Sequence, residues 1–332
     1  MNNRGFTLVE WLVAMLIGLF LLAGIFSIFV ASRATTQDAF DQGELQENGR
    51  LAMRLISHDL KWAGFFGEYT GLPLQVGPSL SLSAGSTVTA SDDCLDERSI
   101  GSLPSNAAET RAIWVSHISS TKTMNGFGCI QPDARVADTD VISIKRLLGR
   151  PIPATEALDI NRFYMATNAH EARLISGSET RPVFGVSNES QLWEYQHYIY
   201  YVSMDGTVPV LKKRYLTVNS GSLLIGGDIA DGIERLVMLY GVDDTAIPDG
   251  VVDRYIPISQ MIDSYWGEGR ITGVRLFILV RSINPSTGYK NNNTYQLGPN
   301  VTVKGNGDGY RRLLLESSIA LRNPMVVLRG GT

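Results

Sequence analysis

A single carboxylate, Glu10, stands at the start of the longest apolar stretch in the sequence. Residues 11–31 include no charged side chain and consist mainly of Leu, Ile, Phe, Val, Ala and Gly. An ionised side chain at the centre of a membrane helix costs about 2.5 to 3.5 kcal/mol on insertion scales, and such groups are usually paired. The position of Glu10 therefore predicts a positively charged partner for its carboxylate.

A second acidic group, near residue 250, has part of the composition of a calcium-binding loop. Asp243, Asp249 and Asp253 flank Gly250, and Ca²⁺ prefers oxygen ligands around a glycine that permits a sharp turn. The run lacks the D-x-D-x-D-G alternation and the terminal bidentate glutamate of a regular calcium loop. We therefore expect a solvated turn and no cofactor, with calcium as the weaker alternative.

Motifs for catalysis and nucleic-acid binding are absent from the sequence. There is no G-x-S-x-G elbow, H-E-x-x-H helix or Walker P-loop. The two cysteines and four histidines do not fit zinc-ligand spacings. The net charge of -4 provides no positive field to attract a phosphate backbone. The sequence thus predicts neither an enzyme nor a nucleic-acid-binding protein.

The apolar stretch after Glu10 is long enough to cross a bilayer. It would form roughly 31 Å of helix. Arg4 and the N-terminal amine make a short positive end, which places the N-terminus in the cytoplasm and the remaining chain across the membrane. A secretory signal peptide has a shorter apolar region of about 7 to 15 residues. On composition alone, a signal anchor is the simplest interpretation.

The N-terminal segment resembles the leader of type IV pilins and pseudopilins. A short basic leader ends in Gly5, and Phe6-Thr7-Leu8-Val9-Glu10 precedes the apolar helix. The resemblance implies that a prepilin peptidase cuts after Gly5 and methylates the new amine of Phe6. It also implies that Glu10 meets the N-terminal amine of a neighbouring subunit in the filament.

Cys94 and Cys129 are the only cysteines. In an oxidising compartment outside the cytoplasm we expect them to form a disulfide, with a free thiol as the alternative. Closing the intervening loop would contribute about 4 kcal/mol in the chain-entropy model.

The helix should continue beyond the membrane, since the first proline is Pro73. Apolar residues recur at helical spacing and are expected to pack in a core; they are Leu51, Leu55, Ile56 and Leu60. We therefore predict a leader over 1–5, a helix over 6–63 with its membrane part at about 11–31, and a globular domain over 64–332.

The globular part has the pattern of antiparallel strands. The clearest hairpin joins 193–202 to 208–215 through Asp205-Gly206. Its tyrosines are expected to pair across strands, with stacking of bases or sugars as the weaker alternative. Alternation over 271–282 and 310–323 indicates two strands with one buried face. The sequence therefore predicts an α+β fold in which a long N-terminal helix packs on an antiparallel sheet.

Several later blocks resemble the PilW family of minor pilins and the related J-type minor pseudopilins of type II secretion. These blocks are residues 59–67, 231–236, 240–243, 273–276, 310–312 and 320–324. The resemblance implies a non-enzymatic protein with one inner-membrane span and a periplasmic domain. Such a protein joins other minor pilins and the pilus assembly machinery in a priming complex that ends at the pilus tip and supports twitching motility.

Two alternatives to a pilus role remain at this point. A minor pseudopilin of a type II secretion system shares the same leader and helix. A signal-anchored periplasmic hydrolase or binding domain belongs to a different class, and an acid–base pair clustered in an enclosed pocket would favour it.

Overall fold

One long helix, α1 (Leu8–Trp62), forms the first part of the described chain. The structure is a computed structural model that describes residues 7–70, 74–86, 88, 93–96, 101–103, 109–182, 190–218, 225–267 and 269–323. The first half of α1 is exposed almost throughout, and an 18-residue window in α1 has a mean hydropathy of 2.7 with none of it buried. By length and composition α1 can cross a membrane, and the predicted long helix is confirmed.

The second half of α1 packs on the remaining chain through buried residues at helical spacing, namely Leu45, Ala52, Ile56 and Leu60. The predicted burial of Ile56 and Leu60 is confirmed, and Leu55 is half-buried. The prediction for Leu51 is wrong, because its side chain is 41% exposed. The buried face of α1 runs through Gly49, Ala52 and Ile56 at three- and four-residue steps, and Leu51 falls outside this face.

The remaining elements are mainly strands. They are β1 (Leu80–Leu82), β2 (Ile113–Ile118), β3 (Thr139–Pro151), β4 (Phe163–Thr167), β5 (Ala172–Ser176), β6 (Gln191–Asp205), β7 (Val208–Tyr215), β8 (Ile225–Asp231), β9 (Ile233–Val242), β10 (Arg254–Pro257), β11 (Ile271–Arg281), β12 (Thr294–Leu297), β13 (Val301–Lys304) and β14 (Arg312–Ala320). A short helix, α2 (Asp263–Gly267), and two 3-10 turns, Pro132–Ala134 and Ile258–Gln260, lie between strands.

The strands form two main sheets and a separate hairpin. The larger sheet has the order β1-β5-β4-β6-β3-β2, and β7 and β8 extend it beside β6. The smaller sheet has the order β10-β9-β11-β14, and β12 pairs with β13. The α+β class and the Asp205-Gly206 hairpin are confirmed, since β6 and β7 pair up to Asp205 and Val208. The larger sheet is mixed rather than purely antiparallel, because β1 runs parallel to β5.

The main core lies between α1 and the two sheets, and a second core lies on the other side of the larger sheet. Strand β11 contributes Val274, Leu276, Ile278 and Val280 to the main core, as its alternation predicts. Its opposite face is not solvated over its whole length, because Phe277 and Leu279 pack under the β12–β13 hairpin. A distant segment therefore covers a face that local alternation assigned to solvent.

Candidate functional site

The carboxylate of Glu10 caps the N-terminus of its own helix. Thr7 donates to Glu10 Oε2 from its backbone N–H at 2.8 Å and from its hydroxyl at 2.9 Å. The backbone N–H of Glu10 returns a hydrogen bond to Thr7 Oγ1 at 3.3 Å. This reciprocal capping box satisfies backbone donors that a helix start leaves unpaired. In the single chain, the carboxylate of Glu10 therefore has Thr7 as a local partner.

Gly5 and Phe6, the predicted cleavage and methylation positions, lie outside the described residues. Phe6 directly precedes the cap residue Thr7. An amine created by cleavage after Gly5 would therefore stand one residue before the helix cap. On the helix, Trp11, Ala14 and Met15 lie beside Glu10 and border a shallow cavity of about 490 Å³.

The other end of α1 is fixed to the larger sheet by a buried ionic cluster around Asp59. Arg146 Nη2 on β3 lies 3.0 Å from Asp59 Oδ1, and Lys213 Nζ on β7 lies 2.9 Å from Oδ2. The hydroxyl of Tyr200 on β6 donates to the same Oδ2 at 2.5 Å. Burial acts to raise the pKa of Asp59, but the charge of Lys213, the hydrogen bonds from Tyr200 and Lys213 and the charge of Arg146 outweigh burial and hold this pKa below its ordinary value.

This cluster also accounts for the aromatic and basic hairpin β6–β7. Lys213 Nζ lies 3.5 Å from the ring centroid of Tyr198 and 5.0 Å from that of Tyr200. Arg214 lies over Tyr201 at 5.6 Å. Cations of the same hairpin therefore lie over the rings of Tyr198, Tyr200 and Tyr201, which favours packing within the hairpin over the stacking of bases or sugars.

Cys94 and Cys129 form a disulfide, which confirms the predicted pairing. Their Cα atoms are 4.7 Å apart. Next to the bridge, Gly128 N–H donates to the carbonyl of Cys94 at 2.9 Å, and Leu95 and Phe127 form an isolated β-bridge. The disulfide thus closes a loop over the second core.

In the calcium candidate, the acidic side chains accept hydrogen bonds from their own loop. Asp243 accepts from Thr245 and from the N–H of Gly250, the latter at 2.7 Å. Asp249 accepts from Val251, and Asp253 accepts from Asp244 N–H. Within the described ranges no group of three or more His, Cys, Asp or Glu side chains could hold a metal ion. The side chain of Asp243 is buried, whereas Asp249 and Asp253 are exposed.

A cleft of about 710 Å³ lies between β2 and the smaller sheet, and sequence reasoning missed it. Inside it, His117 Nδ1 lies 2.7 Å from Asp140 Oδ1. Asp140 is fully buried, and its second oxygen accepts the backbone N–H of Met238 at 2.7 Å. The hydrogen bond to Asp140 raises the pKa of His117 against the opposing effect of burial.

This acid–base pair bears on the hydrolase alternative. Hydrolases of the Ser-His-Asp type need a hydroxyl or thiol nucleophile hydrogen-bonded to the free histidine nitrogen. In the described part of the chain, His117 Nε2 has no such partner, and the nearby Ser119 bonds to Thr121 and Thr123 instead. The pair therefore supplies a polar group to the cleft without a described nucleophile.

Comparison with family models gives two matches along the chain. Residues 1–26 match the prokaryotic N-terminal methylation motif, and residues 199–323 match type IV pilus-assembly protein W, PilW. The second segment is thus similar to PilW, and the first carries the methylation motif of prepilins. No curated protein and no solved structure matches it significantly. The PilW match confirms the resemblance read from the later sequence blocks, and the protein is a membrane-anchored, type IV pilus-related pilin.

The PilW match contains two of the residues of the larger sheet that contact Asp59. Tyr200 and Lys213 lie inside residues 199–323, whereas Asp59 and Arg146 lie between the two matched segments. The segment that matches PilW is therefore joined to α1 through Asp59, a residue that neither match includes. The only sequence signal for this contact was a carboxylate, Asp59, beside the buried residues Ile56 and Leu60.

Proposed function

We propose that this chain, with its match to PilW, is a minor pilin of the type IV pilus. In this role it is cleaved after Gly5, methylated at Phe6 and assembled with other minor pilins into an inner-membrane complex that primes filament growth and ends at the tip. The observation that carries the proposal is the uncovered first half of α1, with Glu10 at its start. Such an apolar surface needs a membrane or other helices around it.

The geometry of Glu10 suits an exchange of partners during assembly. In the single chain the carboxylate is held by Thr7 alone among the described residues. A cationic amine of a neighbouring subunit offers a stronger, charge-assisted hydrogen bond than the neutral donors of Thr7. When the helix packs beside a neighbouring helix, Glu10 would therefore pair with the amine of that subunit. This ion pair would fix the vertical position of one helix relative to the other.

The Asp59 cluster also supports a role in assembly for the globular domain. If α1 fixes the vertical position of the subunit in the membrane, the globular domain is held in a defined orientation only when the other end of α1 cannot rotate relative to that domain. Asp59 connects α1 to three strands of the larger sheet; its contacts with Arg146 and Tyr200 are buried, and its contact with Lys213 is partly buried. We propose the domain boundaries 1–5, 6–63 and 64–332 on this basis, with the last part in the periplasm before its transfer to the pilus.

The test is chromosomal replacement followed by measurement of pilin sheared from the cell surface. Glu10→Ala should insert in the inner membrane but lower both sheared pilin and co-purification of other minor pilins. Glu47→Ala is the matched control, since Glu47 is an exposed carboxylate farther along the same helix. Disabling retraction should restore surface pilin in the Glu10 variant, as expected if priming limits extension.

Two outcomes would contradict the proposal. Unchanged surface pilin in a complete deletion, with loss of a secreted substrate instead, would assign the protein to type II secretion. Equal effects of Glu10→Ala and Glu47→Ala would show that charge loss anywhere on α1 matters, and would remove the specific register role of Glu10.

A further inference from the structure

Three arginines lie side by side on one face of the smaller sheet. Arg235 on β9 is paired with Leu279 of β11, and Arg281 at the end of β11 is paired with Arg312 of β14. Paired residues of antiparallel strands share a face, and so do residues two apart along one strand, such as Leu279 and Arg281. Like charges directly opposite each other destabilise a sheet. This row of arginines therefore needs negative charge beside it.

The carboxylates of this region compensate only Arg312. Its Nε lies 2.6 Å from Glu234 Oε2, and its Nη2 lies 2.8 Å from Asp308 Oδ2. It also donates to the second oxygen of each carboxylate, at 3.1 Å and 2.9 Å. Within the described ranges, Arg235 and Arg281 form no ion pair. The row thus keeps two guanidinium groups that no carboxylate pairs with.

Both of these arginines are held by backbone carbonyl groups. Arg235 Nη1 donates to the carbonyl of Glu234 at 2.8 Å, and Arg281 Nη2 donates to the carbonyl of Thr207. The guanidinium of Arg281 also lies over the ring of Tyr310, 4.1 Å from the centroid. A carbonyl orients a guanidinium but carries no net charge to cancel it. Two oriented positive charges therefore remain.

A cavity of about 400 Å³ lies between the two arginines and the turn of the β6–β7 hairpin. Its lining includes Arg235, Arg281, Met204, Thr207 and Tyr310. Thr207 is exposed, both arginines are half-buried, and the side chain of Met204 is 41% exposed. The cavity is therefore open to solvent, and its volume lies in the range of ligand pockets.

The donors of this cavity are suited to a carboxylate. A guanidinium is planar and can bind a carboxylate or phosphate through two parallel N–H groups. Nη2 of Arg235 and Nη1 of Arg281 donate to no residue in the part of the chain that the structure describes. Met204 adds an adaptable apolar surface that can contact the methylene groups of an acidic side chain.

The distance of the cavity from the membrane favours a protein carboxylate over a lipid phosphate. Arg281 follows Val280, whose side chain faces Gly49 of α1. Gly49 stands about 27 Å of helix beyond Ala31, the last residue of the apolar stretch. The headgroup layer extends only about 5 to 8 Å beyond the hydrocarbon core. Lipid phosphates would therefore lie well below the cavity.

We propose that the cavity between Arg235 and Arg281 binds the carboxylate of an aspartate or glutamate on a neighbouring, different pilin. The proposal rests on the proposed function for the source of this carboxylate. Both guanidinium groups donate to the carboxylate, and its methylene groups contact Met204. The ion pair adds a contact between globular domains to the contact that Glu10 makes between helices.

Other cations of the described chain fit this role less well, because carboxylates of the same chain already pair with them. Arg146 and Lys213 contact Asp59. Arg311 lies 2.8 Å from Asp38 of α1. The two arginines of the cavity differ from these in having an open cavity beside them and no ion pair in the described residues.

The test places the photo-crosslinking residue p-benzoylphenylalanine at Met204 of the full-length protein, in cells that produce the other minor pilins. The matched control position is Ile160, an apolar side chain that is 61% exposed and lies outside the cavity. Mass spectrometry identifies the attached molecule. From Met204 we expect a peptide of another pilin that contains an aspartate or glutamate, with at least about fivefold less of this product from Ile160.

Charge reversal then tests the arginines. Arg235→Glu should lower co-purification of the cross-linked pilin about tenfold, since attraction to its carboxylate becomes repulsion. Arg173→Glu is the matched control and should leave co-purification unchanged, because Arg173 is an exposed residue of β5 without an ion pair in the described chain. An acidic-to-arginine substitution in the cross-linked peptide of the partner should restore co-purification with Arg235→Glu. This recovery would also show that the Arg235→Glu protein is folded.

Four results would overturn the inference. A phospholipid attached at Met204 would replace the carboxylate by a lipid phosphate, and a cross-link only to a second copy of this chain would replace the neighbouring pilin. Equal effects of Arg235→Glu and Arg173→Glu would remove the role of the cavity, as would failure of the partner substitution to restore co-purification. If Met204 cross-links to no pilin while co-purification still depends on Glu10, this inference fails and the proposed function stands.

Discussion

The hydroxyl of Tyr200 and the carboxylate of Asp59 are joined by a 2.5 Å hydrogen bond between the middle of β6 and the last turns of α1. Both residues are buried, and the same carboxylate oxygen also accepts from Lys213 at 2.9 Å. A hydrogen bond requires a defined geometry between donor and acceptor, whereas the surrounding apolar packing alone would allow small rotations of the helix. The orientation of α1 relative to the sheet therefore depends on Asp59.

Removing the Tyr200 hydroxyl should weaken the contact between α1 and the larger sheet but leave the ion pairs of Asp59 in place. Tyr200→Phe leaves Asp59 with Arg146 and Lys213, so we expect a loss of about 1.5 to 3 kcal/mol in the free energy of unfolding, the usual range for a hydrogen bond to a charged group. Asp59→Ala leaves two cations unpaired in a buried site and should cost about 3 to 5 kcal/mol. Denaturant unfolding of the full-length protein in detergent measures both values.

Tyr255→Phe is the control, because Tyr255 is half-buried and its hydroxyl has no hydrogen bond in the described part of the chain. It should change the free energy of unfolding by less than about 0.5 kcal/mol. A loss in Tyr200→Phe no larger than that of the control would contradict the role assigned to the Asp59 junction.

Two glycines of α1 should respond in opposite directions to alanine. A Cβ at Gly49 would lie 2.5 Å from Leu315 Cδ1 and 2.9 Å from Val280 Cγ2, whereas a Cβ at Gly43 would meet nothing within 4 Å. We expect Gly49→Ala to destabilise by about 1 to 3 kcal/mol through overpacking. Gly43→Ala should stabilise by up to about 1 kcal/mol through helix propensity.

Thermal unfolding of the two variants side by side tests this pair. Stabilisation by both substitutions would mean that Leu315 and Val280 move aside at little cost, and that the helix does not depend on a close approach at Gly49.

Local sequence signals predicted the elements of the fold well. Apolar composition without proline predicted α1, and Asp205-Gly206 between β-prone runs predicted the β6–β7 hairpin. These features are decided by neighbours in the chain. The predicted burial of Leu51 was wrong, because the face of α1 that packs on the sheets runs through Gly49, Ala52 and Ile56, and the position of this face is decided by strands far along the sequence.

The long-range features could not be predicted from one sequence. The β12–β13 hairpin covers Phe277 and Leu279, and the alternation of residues within β11 does not predict this contact. Likewise His117 and Asp140 are brought together by the register of β2 with β3. Pairing across strands, rather than residue type, creates both the ionic junction at Asp59 and the cleft.

Lys145 should make stability rise with pH above neutrality. Its side chain is fully buried and donates to the carbonyl of Gly101. Burial lowers the pKa of Lys145 from 10.5 to about 7. Between these values the unfolded chain holds a proton that the folded chain has released, so the free energy of unfolding gains up to about 1.4 kcal/mol per pH unit from this group.

Lys145→Met keeps the volume of the side chain and removes the titration. The difference between wild type and variant should therefore change from pH 7 to 10 and stay flat below pH 6, in denaturant unfolding at a series of pH values. A constant difference across this range would mean that Lys145 stays charged in the folded protein.

The contribution of His117 to the free energy of unfolding should decrease as pH rises, which is opposite to that of Lys145. Its hydrogen bond to Asp140, together with the charges of Asp140 and Asp138, raises its pKa despite burial. The stability gained from this shift is complete below about pH 6.5, the ordinary pKa of histidine, and is lost as pH rises through the higher folded-state value. His117→Gln should therefore be most destabilising near pH 5.5 and less so near pH 8.

His170→Gln is the matched control, since His170 is an exposed histidine in the turn between β4 and β5. Its effect on the free energy of unfolding should be small and equal at both pH values. If His117→Gln behaves in the same way, the His117–Asp140 pair does not hold a charge in the fold. A larger effect of His117→Gln at pH 5.5 would instead mean that Asp140 stays ionised under the cleft, which is the condition for a fixed His117 ring at the β2 edge.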